Sequence, residues 1–205
     1  MYFRPPKLLK RLFPSLIWNF PEEEVGRTIF LTFDDGPTPE VTPRVLDTLD
    51  KYEAKATFFC LGKNVEQHPE VYNEIRGRGH AVGSHSYSHQ KGWGMSLSRY
   101  IEDYNFSDSF IETNLIRPPY GRITPRQAKV LSERYKIIMW DVLTHDYSRT
   151  VSRKGCLKAV TKHARPGSII VFHDSKKAEK NLIYALPRAL EFLKKEGYEC
   201  RRIEL

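Results

Sequence analysis

The 205 residues are 40% hydrophobic and 28% charged, a balance that excludes a disordered chain or a membrane-embedded one and suits a single globular domain. The formal charge of +8 favours anionic partners, yet no helix-turn-helix, zinc-finger or RNP-type motif accompanies it, so specific nucleic-acid binding is not expected. Three dispersed cysteines, Cys60, Cys156 and Cys200, offer neither a disulfide framework nor a cysteine-based zinc site.

Residues 1–26 read as a basic and apolar segment that packs on a domain spanning 27–205. Arg4, Lys7, Lys10 and Arg11 alternate there with Leu8, Leu9, Leu12, Leu16 and Trp18. Lys10-Arg11 and Pro14 interrupt the apolar core that a secretory signal needs, and no small-residue cleavage site follows. No run reaches membrane-spanning length. A cytoplasmic location is the expectation. Peripheral contact of this segment with an anionic membrane is the alternative to packing, and the oligomeric state is left open.

Apolar runs then alternate with helical periodicity. Thr28–Phe33 is a strand, Thr42–Tyr52 a helix with Val45, Leu46 and Leu49 on one face, and Thr57–Leu61 a buried strand. Asn64 is placed as the N-cap of a helix that Gly77 and Gly79 end. Ala81-Val82 starts a third strand and Ser96–Thr113 reads as a helix. Leu115-Ile116 is a strand stopped by Pro118-Pro119. Thr124 caps a helix to Tyr135, with Pro125 at its first position. Ile137–Trp140 and Ser168–Phe172 are strands flanking a helix over about Arg153–Ala164. A last helix from near Pro187 to Lys195 precedes an edge strand over Tyr198–Ile203. Continuous rather than alternating apolar runs imply parallel strands covered on both faces, hence one α/β domain, barrel-like or open and doubly wound.

Polar residues cluster where strands end. Asp34-Asp35-Gly36-Pro37 follows the first strand, and His85-Ser86-Tyr87-Ser88-His89 the third. Two imidazoles and one carboxylate make a three-ligand set that leaves a divalent ion open to water, and the second carboxylate is free to act as base. One helical turn after the strand would set both rings on one ion. The His pair argues for zinc over magnesium, which prefers oxygen ligands. Arg117-Pro118-Pro119-Tyr120-Gly121 supplies a guanidinium for a two-pronged carboxylate contact and, at Tyr120, a backbone N–H for an oxyanion. His173 follows the most apolar strand, as a general acid or a supporting group, with Asp146 placed to raise its pKa. Trp93 is read either as a platform for a sugar ring or as packing under its loop. Lys176, Lys177, Arg122 and Arg149 form a positive rim or a solvated loop.

From Asp34 onward these motifs resemble those of the polysaccharide deacetylases, the NodB-homology carbohydrate esterases, over roughly residue 27 to the end. The resemblance implies a distorted (β/α)7-type barrel and removal of N-acetyl groups from an amino-sugar glycan of chitooligosaccharide or peptidoglycan type. It assigns Asp34 as base, Asp35, His85 and His89 as ligands of an ion, zinc ahead of cobalt, nickel or manganese, and Arg117 as the residue that orients the base. Tyr120 becomes the oxyanion donor, and His173 the acid with Asp146 as its partner. Pro119, Tyr147 and Val171 are expected at the substrate. Three positions depart from the family pattern: Leu143 and Tyr147 replace an Asp and a Trp of the groove wall, and Val171 replaces a Leu of the acetyl pocket. The alternatives are an O-acetyl esterase of acetylated xylan and a non-catalytic glycan-binding domain.

Overall fold

The structure, a computed structural model, describes residues 3–205, with Lys7 described by its backbone alone. Met1, Tyr2 and the Lys7 side chain, part of the predicted N-terminal segment, lie outside the described residues. Among those residues eight strands form one all-parallel sheet: β1 (Thr28–Asp34), β2 (Ala56–Cys60), β3 (Ala81–Ser84), β4 (Leu115–Ile116), β5 (Lys136–Ile137), β6 (Val142–Leu143), β7 (Ile169–His173) and β8 (Glu199–Cys200). Their order is β5-β4-β3-β2-β1-β7-β6, with β8 against β1. All residues of β1, β2 and β7 are buried, which is why those strands read as unbroken apolar runs.

The gap between the outer strands is bridged by residues 17–20. Ile17 donates to the Ile137 carbonyl at 2.9 Å and accepts from the Met139 N–H at 2.7 Å, and the Phe20 N–H reaches the Gly167 carbonyl at 2.9 Å. Leu16 and Trp18 are buried on the way. The result is the expected distorted barrel, with seven strands along its wall, β8 against β1 and a strap across the opening. Among the described residues no helix is long and apolar enough to cross a membrane.

Nine helices among the described residues pack around the sheet. They are α1 (Lys7–Leu12), α2 (Glu22–Val25), α3 (Thr42–Lys51), α4 (Gly62–Gln67), α5 (Pro69–Gly77), α6 (Leu97–Ser107), α7 (Pro125–Leu131), α8 (Arg153–His163) and α9 (Glu179–Lys195). Thr124 caps α7 as expected, in a reciprocal capping box with Gln127.

Several local expectations are corrected. The helix assigned after Asn64 is two helices broken at His68, because Pro69 restarts the chain as a first-turn residue. Asn64 lies inside α4, and its amide donates to the Asp35 carbonyl at 2.8 Å instead of capping. The α6 helix stops at Ser107, six residues short of Thr113. The last helix begins at Glu179, so Pro187 is internal. Its missing N–H costs about 3 kcal/mol, but Leu182, Leu186, Leu190 and Leu193 are all buried along one face, at roughly 2 kcal/mol each. The terminal strand is no sheet edge either: Glu199 donates to Arg27, just before β1, and Arg201 to Ile29 of β1, and Lys55, just before β2, donates to Cys200.

Parallel pairing puts the carboxyl ends of the strands on one rim. In register Asp34 lies beside His173 of β7, and Ser84 beside Ile116, so His85 and Arg117 leave adjacent strands together.

The strap is tied down by charge at the buried Asp141. Arg4 (2.8 Å), Lys10 (3.0 Å) and Arg165 (3.0 Å) surround its carboxylate, and Ser168 donates at 2.9 Å. Burial opposes its ionisation, but Lys10, Ser168 and Arg165 outweigh that and bring its pKa down to about 2. Asp141→Ala is therefore predicted to cost roughly 3 kcal/mol by urea unfolding at neutral pH. Because the folded pKa lies below the unfolded value near 3.8, the contribution is present above that value and lost as pH falls towards 2. The gap between wild type and variant should close over that interval.

Candidate active site

The Asp-Asp turn sends neighbouring carboxylates in opposite directions. Asp34 is the last residue of β1 and is buried, whereas Asp35 adopts a left-handed conformation (φ 77°) that turns its side chain outward. The turn is held from behind by Asp174, which accepts from the Gly36 N–H at 3.1 Å and from Thr42 Oγ1 at 2.6 Å. Burial pushes the Asp174 carboxyl up to about 7, against the pull of the Thr42 bond.

Asp34 meets Arg117, which is fully buried. Nη1 donates to Asp34 Oδ1 at 2.6 Å and to Thr32 Oγ1 at 2.8 Å, Nη2 to the Met139 carbonyl at 2.9 Å and Nε to the Ile138 carbonyl at 3.1 Å. The guanidinium rests 4.1 Å from the centre of the Phe59 ring. The expected two-pronged contact is thus single: the other donors are spent on backbone carbonyls freed where β5 ends after Ile137. Burial lowers the guanidinium's pKa and Asp34 works against it, so the pair stands or falls together.

Asp35 meets His85 and His89. Its Oδ1 lies 3.7 Å from His85 Nε2 and 3.2 Å from His89 Nε2, yet is buried without a hydrogen-bond partner. The rings are 5.1 Å apart at their centres. A helical turn does not bring them together, contrary to expectation. A loop does, with Ser86 (φ 64°) and His89 (φ 61°) left-handed, and with the His89 N–H bonded to Ser86 Oγ at 3.1 Å. Nδ1 of His85 lies 2.7 Å from the Arg117 carbonyl; a carbonyl only accepts, so the proton sits on Nδ1 and Nε2 keeps its lone pair. Burial drops the His85 pKa to about 4, against the two Asp residues, so the ring is neutral at pH 7. Burial opposes ionisation of Asp35, but His89, His173 and His85 outweigh it and hold the carboxyl well below the usual range. Among the described residues these three form the one cluster able to hold a metal, with one donor atom from each within 4.8 Å of the others. An anionic carboxylate with an unmatched buried oxygen beside a neutral imidazole fits a divalent cation.

Opposite stands His173, buried at the end of β7. Asp146 accepts from both its backbone N–H and its Nδ1 at 2.8 Å. Burial disfavours the imidazolium, but Asp146, Asp35 and Asp34 overcome it and raise the pKa to about 9. With Nδ1 on Asp146, the acidic Nε2–H is left for the cleft.

The cleft encloses about 330 Å³ and holds Asp34, Asp35, His85, His89 and His173 together with Tyr120 and Tyr147. Tyr120 is exposed, left-handed (φ 60°), and its ring leans on His89 at 4.7 Å between centres; no backbone carbonyl among the described residues takes its N–H. Gly121 allows that turn: its φ is 62°, and a Cβ there would lie 2.4 Å from the Trp140 ring.

Three residues assigned to substrate lie elsewhere. Pro119 is buried beneath the turn, and Pro118 lines the cleft instead. Val171 is sealed inside β7, its carbonyl taken by Thr144, and its register partner Leu143 reaches the wall. Trp93 is outside the cleft, donating to the Ile123 carbonyl at 3.3 Å under the Arg122 guanidinium. Lys176 leaves the rim to pair with Glu40 at 2.7 Å, whereas Lys177 reaches the cleft. Sequence reasoning missed Trp140 and Gly121 as wall residues, although Trp140 follows a strand end like the others.

The family model described as polysaccharide deacetylase matches residues 22–134, more than half of the chain. A peptidoglycan-N-acetylglucosamine deacetylase of Bacillus cereus is 33% identical over 202 residues, 93% of each chain. Other relatives are longer, and the chain spans 64%, 42% and 40% of three of them. Among solved structures, the Bc1960 peptidoglycan N-acetylglucosamine deacetylase superposes with a TM-score of 0.87 at 30% identity, covering 98% of this chain and 95% of that one. A Bacillus anthracis protein described as a family pseudoenzyme also superposes, with a TM-score of 0.83 at 26% identity over 97% of this chain and 71% of that one, so the fold by itself does not carry the chemistry. With two-thirds and more of its length matched at this identity, and the site's residues gathered in one cleft, the chain belongs to the polysaccharide deacetylases, hydrolases of the carbohydrate esterase class.

Proposed function

We propose that this chain removes N-acetyl groups from an amino-sugar glycan of the peptidoglycan type. The observation that carries the reading is the division of labour at the rim: one carboxylate locked on a buried Arg, its neighbour beside two imidazoles, and a protonated His on the facing strand, all within one cleft. The relatives' named substrate supports the choice of glycan.

Asp35, His85 and His89 would hold a divalent ion, zinc by the preference of its donor set. When bound, such an ion supplies Lewis acidity to the acetamide carbonyl and an acidified water. Asp34, held on one oxygen by Arg117, uses the other to take the proton from the attacking water. The Tyr120 N–H receives the oxyanion as the carbonyl carbon becomes tetrahedral. His173 Nε2–H then gives its proton to the departing nitrogen as the C–N bond breaks. Water and amide become acetate and a free amine, and Asp146 keeps the imidazolium aimed throughout. Leu143, Trp140 and Tyr147 supply apolar wall for the acetyl group and sugar face.

Acetate release from N-acetylglucosamine oligomers and from peptidoglycan is the primary test, with acetylated xylan run in parallel. Removal of divalent metal by a chelator should abolish release and added zinc or cobalt should restore it; undiminished turnover in chelator contradicts the reading. Asp34→Asn is predicted to lower kcat by about a thousandfold, and a loss below tenfold would remove Asp34 as base. Because His173 must be protonated, kcat should fall on the alkaline side, at or below pH 9. Asp146→Asn removes the group that opposes burial, so this limb should move down by roughly one pH unit or more; an unmoved limb would show that another group is the acid.

A further inference from the structure

The catalytic cleft does not end at Tyr147 and Lys177. Both also line a second hollow of about 630 Å³, whose walls carry Arg149, Arg153 and Lys180 with Asn181. Four cations therefore face one groove, and no carboxylate lines it. Among the described residues none of the four makes an ion pair, although elsewhere Lys176, Arg78 and Arg44 are all matched by carboxylates. The Lys177 ammonium lies over the Tyr147 ring at 5.4 Å and the Arg153 guanidinium over Tyr184 at 4.8 Å, contacts that hold the charged heads in place without neutralising them. Asn181 donates to the Asp146 carbonyl at 2.8 Å and so ties the groove to the residue that aims His173.

We propose that this groove binds a carboxylate on a sugar neighbouring the one whose acetamide enters the cleft, making the chain selective for acidic over neutral N-acetylated glycans. The inference rests on the deacetylase reading for the orientation of the glycan. Its charge argument is independent of catalysis: uncompensated cations lining a concave surface raise the local concentration of an anion, and Arg forks match a carboxylate's two oxygens.

Calorimetry tests it directly. One oligosaccharide alternates N-acetylglucosamine with glucuronic acid, and the other is an N-acetylglucosamine oligomer of equal length. The wild type should bind the acidic chain about tenfold more tightly, the sum of a few exposed pairs. The triple variant Arg149→Ala, Arg153→Ala, Lys180→Ala should lose that preference while its affinity for the neutral chain stays the same. Lys180→Glu, a single exposed substitution that leaves the core untouched, should weaken only acidic-chain binding. Equal wild-type affinity for both chains, or a preference that survives the triple variant, would overturn the proposal. Absence of acetate release from both oligosaccharides and from peptidoglycan would instead sink the deacetylase reading, with the binding comparison still deciding the groove.

Discussion

Two like charges on adjacent residues are an electrostatic liability, and the site is built on how β1 resolves it. The strand carries Asp34 into the barrel, where a buried guanidinium neutralises it. The left-handed turn at Asp35 throws the next carboxylate the other way, against two imidazoles. Each carboxylate acquires its own partners, so one is kept as an anchored base and the other as a ligand. Without the turn, both would compete for one partner and one would take up a proton.

Arg117 couples the two halves. Its side chain fixes Asp34 and the segment that follows β5, while its backbone carbonyl accepts from His85 Nδ1 at 2.7 Å and from Tyr104 Oη at 3.2 Å. One residue therefore sets the orientation of the base and the tautomer of a ligand. The carbonyls of Ile138 and Met139 are free to receive the guanidinium because β5 is only two residues long. Irregular backbone beside the site is thus part of the charge balance. His173 works by contrast: the buried carboxylate of Asp146, with Asp35 and Asp34 adding to it, outweighs its burial and keeps it an acid.

The long buried strands were legible because a run such as Ile169–Phe172 has no polar face to confuse with a helix, whereas the strand expected over Ile137–Trp140 ends at Ile137 and the two-residue β6 was too short to read. Motif spacing brought the Asp, His, Arg and Tyr residues into one cleft. Local geometry was not legible. Nothing in Ser86 or His89 announces a left-handed conformation, and Asn64 offered cap chemistry that tertiary contact redirected to Asp35. Pro187 read as a helix start because its cost is local, whereas the buried leucine face that outweighs it spans the whole helix. Val171 and Trp93 failed for a common reason: whether a residue in a strand or loop faces a cleft depends on packing from elements far away in sequence. The basic groove joins Arg149 after β6, Arg153 at the start of α8, Lys177 before α9 and Lys180 within it; of the four cations read as a rim, Lys177 and Arg149 reach it.

Separate duties for adjacent carboxylates can be read out without turnover. Zinc affinity of the metal-stripped protein, measured by calorimetry, should be nearly unchanged in Asp34→Asn and weakened at least a hundredfold, by about 3 kcal/mol, in Asp35→Asn. Equal losses in both variants, or an unaffected Asp35→Asn, would contradict the account.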